Sequence, residues 1–106
     1  MSTADHLKEL DINKGLAQWK VTPGAVLLDV RTEEEFSDGR VPGSRNVPLP
    51  TIPTIEGIIT DKDTPVFVYC LSGGRSNRAA AFMKKIGYTN VTNIGGIKDY
   101  TGELEM

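Results

Sequence analysis

The chain has 106 residues, 39% apolar and 25% charged, with a formal net charge of -2, which suits one soluble α/β-sized domain and no more. A charge this small argues against a nucleic-acid binder driven by bulk electrostatics. No apolar run approaches the ~20 residues needed to cross a bilayer as a helix. The N-terminus has no basic start and no apolar h-region, so no signal peptide is expected. That makes a cytoplasmic location the expectation, or a periplasmic one if a leader has been removed.

Residues 1–10 read as a loose polar lead-in to a single domain spanning 1–106. His6, the sole histidine, has no second soft ligand beside it, and neither a metal nor another cofactor is expected. The single cysteine, Cys70, rules out an internal disulfide. Residues 13–20 carry Leu16 and Trp19 on one helical face. Val21-Thr22-Pro23-Gly24 then makes a turn. The run from Ala25 to Val30 suits a strand buried on both faces. Thr32 followed by Glu35 is a capping-box pattern opening a short helix, which Asp38-Gly39 closes.

Three prolines between residues 40 and 50 mark an extended connection, with a short strand expected at Arg45-Asn46-Val47. Ile52, Ile55, Ile58 and Ile59 keep helical spacing, and the pattern predicts a helix over 53–59. Pro65 to Tyr69 is the second strong strand. The clearest helix covers 76–86, with Ala79, Ala80, Phe82, Met83 and Ile86 inward, Lys84 and Lys85 in the last turn and Gly87 as cap. A short strand at 91–94, then Gly95-Gly96 and a short terminal helix, complete the chain. Strands alternating with helices predict a parallel sheet covered on both faces.

Cys70 stands where such sheets bind ligands, beyond the carboxyl end of a strand. It is followed by Leu71-Ser72-Gly73-Gly74-Arg75-Ser76 and then the clearest helix. A strand, a glycine loop and a helix N-terminus make an anion cradle of backbone N–H groups. A cysteine at its mouth should have a lowered pKa, activated without a general base. Arg75 and Arg78 oppose the macrodipole at that helix end, which points to a negative partner there, the thiolate or an anionic substrate.

At these residues the sequence resembles the single-domain rhodanese family of sulfurtransferases. Three stretches carry the likeness: Leu28-Asp29-Val30-Arg31 with Glu34-Glu35-Phe36, the segment from Gly39 to Pro48, and Cys70 to Ser76. The resemblance implies a three-layer α/β fold with a central parallel sheet of about five strands flanked by helices. It implies a Cys70 persulfide as sulfur carrier, with Leu71, Ser72, Gly73, Gly74 and Arg75 lining the pocket and Arg75 helping to bind an anionic donor such as thiosulfate. Ser76, Asp29, Arg31 and Glu35 take supporting roles, with Arg31 expected to pair with Glu35. Arg40 stands where the family often has a histidine, and Tyr100 where an aromatic, often tryptophan, follows the late glycines.

Phosphatases and arsenate reductases of related fold place one residue more between cysteine and arginine. The four-residue gap from Cys70 to Arg75 makes a smaller cradle and favours sulfur over phosphorus. A non-catalytic rhodanese-like binding module is the other alternative, against which the intact loop speaks. The expected partners are a small anionic donor and a thiol or cyanide acceptor, with a sulfur-relay protein as a further donor, and the protein is expected to be a monomer. Arg31, Arg40, Arg45 and Lys98 would favour small anions if the fold rings them round the pocket.

Overall fold

A computed structural model describes residues 11–106; the lead-in and His6 lie outside the described residues. Helix α1 (Ile12–Lys20) starts at Asp11, whose carboxylate accepts from the Lys14 N–H at 3.0 Å. Its Ile12 and Leu16 are buried. Gly15 lies directly on Ile94, where a Cβ would collide with the isoleucine side chain, so this glycine sets how closely the helix approaches the sheet.

Strand β1 (Val26–Asp29) is followed by helix α2 (Glu33–Asp38). The capping box is complete: Thr32 Oγ1 accepts from Glu35 N–H, and the Glu35 carboxylate accepts from Thr32 N–H. Strand β2 is short (Arg45–Asn46). The expected helix over 53–59 is instead a 3-10 helix from Leu49 to Gly57. Pro50 and Pro53 each remove an N–H, and Pro53 sits inside the helix, which works against a continuous α ladder. Ile52 and Ile55, three residues apart, suit the three-residue turn and are buried together.

Strand β3 (Val66–Cys70) is buried along its whole length. Helix α3 (Gly74–Lys85) follows, then strand β4 (Val91–Gly96) and a 3-10 turn (Ile97–Asp99). The described residues form a four-stranded sheet in the order β2-β1-β3-β4, every pairing parallel. This is the expected helix-flanked parallel architecture. β4 runs past the apolar stretch that marks it in sequence, because Gly95 and Gly96 pair with Tyr69 and Cys70 after a bulge at Ile94.

Alternation along the strands divides the core. Val66, Val68 and Cys70 face α3, where they pack with Ala79, Ala80 and Met83. Phe67 and Tyr69 face α1, with Ile12, Leu16 and Ile94. Each large apolar side chain so buried contributes ~1.5–3 kcal/mol. The period of two therefore delivers the Cys70 side chain to the α3 face, beneath that helix's N-terminus.

Candidate active site

β3 ends at Cys70, and the chain turns through Leu71, Ser72 and Gly73 before α3 begins. Gly73 holds φ at 105°, a left-handed conformation that a side chain would strain. The turn brings Gly73 N–H onto Cys70 Sγ at 3.0 Å. Ser76 Oγ, in the first turn of α3, lies 3.4 Å from the same sulfur.

Cys70 is 1% exposed, and burial alone pushes its thiol up. The Ser76 hydroxyl and the N–H groups of Ser76, Gly73 and Ser72 outweigh burial, and the thiol is held below its ordinary value. The cradle thus stabilises a thiolate with backbone and one hydroxyl. Of the five loop residues expected to line the pocket, Gly73 makes the direct bond and Ser72 contributes its N–H. Leu71 turns its carbonyl away to accept from Lys98 N–H at 3.1 Å, leaving its side chain 46% exposed.

Two supports hold the loop. On one side Gly96 lies against it so closely that a Cβ would run into Leu71 O and Ser72 Cα. There also Asn93 binds both ends of the turn: its amide nitrogen donates to Gly73 O at 3.2 Å and its oxygen accepts from Ser76 Oγ at 2.7 Å. The Ser76 hydroxyl carries one hydrogen and faces three acceptors, Asn93 Oδ1, Gly73 O at 3.1 Å and Cys70 Sγ. Ionising the thiol makes the sulfur the charged acceptor and draws that hydrogen toward it.

On the other side Arg75 reaches α2. Its two terminal nitrogens meet the two Glu35 oxygens at 2.7 and 3.0 Å. The Arg75 guanidinium holds the Glu35 carboxyl down at about 2, well under the usual carboxylate range. Arg75 therefore stands as an ion-paired strut, not as an unpaired cation facing a donor.

The expected Arg31–Glu35 pair is absent. Arg31 instead binds Asp29, with Nη2 2.7 Å from Oδ2 and Nε 3.1 Å from both oxygens, and donates to Gly39 O at 2.8 Å. Asp29 is 0% exposed, so its charge needs a partner on the spot, and the residue two positions on supplies it. Nor do the other cations ring the sulfur. Arg40 lies 3.5 Å from Glu105 and over the Phe36 ring, Lys98 lies 3.4 Å from Asp99, and Arg45 is exposed on β2, at the sheet edge away from β4. Arg78 is exposed on α3.

Sequence reasoning missed Asn93 and the tight contact at Gly96. Gly95-Gly96 reads as the end of a strand, and only the parallel pairing of β3 with β4 shows that it is the floor of the Cys70 loop.

A model of the rhodanese-like domain matches residues 5–103. The chain belongs to the rhodanese-like domain family. It is 38% identical over 73 residues to the thiosulfate sulfurtransferase PspE of Escherichia coli (strain K12), covering 68% of this chain and 70% of that protein. It is 36% identical over 107 residues to YqhL of Bacillus subtilis (strain 168), covering 96% of this chain and 83% of that protein. Among solved structures, a rhodanese with anions from E. coli superimposes with a TM-score of 0.70 at 34% identity, covering 76% of this chain and 96% of that one. The rhodanese fold and a kinship with sulfurtransferases follow.

Proposed function

We propose that this rhodanese-like protein is a sulfurtransferase that carries sulfane sulfur on Cys70 as a persulfide. The observation that carries the reading is the Gly73 N–H on Cys70 Sγ at 3.0 Å, at the N-terminus of α3. A nucleophilic sulfur needs its thiolate stabilised, and the loop does this with its own N–H groups and the Ser76 hydroxyl.

The Cys70 thiolate attacks the outer sulfur of an anionic donor such as thiosulfate. A bond forms between Sγ and that sulfur, and the bond to the sulfonyl sulfur breaks with its electron pair leaving on sulfite. Sulfite is a stable anion, so no general acid is required. In the second step cyanide or a thiol, either small or borne by a sulfur-relay protein, attacks the outer sulfur of the persulfide and the Cys70 thiolate is regenerated. Two half-reactions sharing one covalent intermediate give ping-pong kinetics.

The loop geometry speaks for sulfur over phosphorus. The cradle from Cys70 to Arg75 is one residue short of the phosphatase pattern, and its arginine is paired with Glu35. Replacing Cys70 with Ser keeps the side-chain volume near constant beneath α3. The variant should fold and show no thiosulfate:cyanide turnover; retention of wild-type turnover would defeat the proposal.

A further inference from the structure

The loop has one charged side chain, Arg75, between Cys70 and Ser76. Its guanidinium is met by Glu35 through a two-pronged ion pair. Charge-assisted pairing of this geometry satisfies the fork and leaves the carboxylate's negative charge beside the positive one. Arg31 is likewise paired with Asp29, Arg40 with Glu105 and Lys98 with Asp99. Arg78 and Arg45, both exposed, form no ion pair among the described residues, but within the Cys70 loop itself the one cation is matched by a carboxylate, and the positive potential that remains there comes from loop amides and the α3 dipole.

A dianionic donor must approach a thiolate in this setting, and each charge it carries is repelled by the sulfur it must meet. A donor with one charge suffers about half that repulsion. The loop offers such a donor something else: Leu71, next to Cys70 in the chain, is 46% exposed and puts an apolar side chain on the loop surface, where its backbone is held by Lys98 N–H. Glu35 stays ionised down to about 2, so the match with Arg75 holds across neutral and mildly acidic solution.

We propose that Glu35 sets the donor preference of the Cys70 loop by cancelling the charge of Arg75, so that the site takes singly charged sulfane-sulfur donors with an apolar end ahead of the thiosulfate dianion. The proposal rests on the sulfurtransferase reading and narrows its substrate class to thiosulfonates and alkyl persulfides. With a thiosulfonate, the Cys70 thiolate takes the outer sulfur and the broken bond's electron pair leaves on the sulfinate. The persulfide formed is the same as with thiosulfate.

Thiosulfate and methanethiosulfonate share a sulfonyl head and a transferable sulfur, and differ by a methyl group in place of one charged oxygen. Persulfide formation on Cys70 is measured with each donor as kcat/KM, and the ratio of the two is compared among wild type, Glu35→Gln and Glu35→Asp. A ratio on one preparation is independent of its folded fraction. Glutamine retains the capping-box function of position 35 while removing the charge.

Wild type should favour methanethiosulfonate. Glu35→Gln should shift the ratio toward thiosulfate by about fivefold or more, the size of one unpaired charge acting over a few ångströms in a partly solvated site. Glu35→Asp, which keeps the charge, should stay near wild type. A wild-type preference for thiosulfate overturns the proposal, as does a ratio unmoved in Glu35→Gln or moved equally in Glu35→Asp. Those outcomes leave the Cys70 persulfide standing. If neither of these donors nor an alkyl persulfide loads sulfur onto wild-type Cys70, the sulfurtransferase reading falls with it.

Discussion

At the scale of single residues, the site is a balance between burial, which favours the neutral thiol of Cys70, and the donors aimed at it, which favour the thiolate. The donors win. Thiolate is the reactive form, so the alkylation rate of Cys70 should rise with pH and reach its plateau at a lower pH than an ordinary thiol, whose pKa is about 8.5. Replacing Ser76 with Ala removes a hydroxyl that lies 3.4 Å from the sulfur. The rise should move to higher pH, and the rate at neutral pH should fall by about threefold to tenfold, a modest loss because that hydroxyl is shared with Asn93. Iodoacetamide kinetics across the pH range checks both; an unmoved profile in Ser76→Ala would show that backbone N–H groups act alone. The place of Cys70 beyond a strand and before two glycines and a helix is legible in the sequence because it depends on neighbours in the chain. The Arg75–Glu35 pair is not, since the two are 40 residues apart and meet only once α2 is docked beside the loop. Arg31 invited the wrong partner for a related reason: Glu35, four residues on, looks available, while the burial of Asp29 that claims Arg31 is visible only in three dimensions.

Among the elements, the position of the loop depends on β4. Gly96 pairs with Cys70 and carries the turn on its Cα. A Gly96→Ala substitution forces the Cβ into Leu71 O and Ser72 Cα, so loop or strand must move. The expected outcome is a loss of ~1–3 kcal/mol in denaturant unfolding, of the kind seen for overpacking. The Cys70 alkylation profile should also shift toward that of an ordinary thiol. Wild-type stability together with a wild-type profile would contradict the role given to this contact. Strand and helix positions follow closely from the apolar pattern: β1, β3, α1 and α3 lie within a residue or two of expectation. The 3-10 stretch from Leu49 to Gly57 departs from it because the isoleucine spacing carries no information about the N–H groups that Pro50 and Pro53 lack. β4 extends through its glycines because pairing with β3, not side-chain propensity, decides where it ends.

For the molecule as a whole, one ion pair links α2 to the N-terminus of α3 and should leave a mark on acid stability. The folded-state pKa of Glu35, about 2, lies below its ordinary value of 4.5. A carboxyl depressed on folding contributes stability that is present above its ordinary pKa and is lost as pH falls from about 4.5 toward 2. Both side chains are about one-third exposed, so solvent screens the pair and the contribution is small. Tm measured against pH should decline more steeply through that window in wild type than in Glu35→Gln; equal slopes would contradict the pairing. The layered parallel architecture is readable from the alternation of apolar strands and helices, whereas the network that braces the loop joins α2, α3 and β4 and exists only after they assemble. The central claim is that this assembly makes Cys70 a sulfur carrier. Mass spectrometry of the intact protein and its peptides after incubation with a sulfane-sulfur donor tests it most directly. The account predicts a gain of one sulfur atom on Cys70 that cyanide removes and that is missing from Cys70→Ser; wild-type protein that gains no sulfur from thiosulfate, methanethiosulfonate or an alkyl persulfide would contradict it.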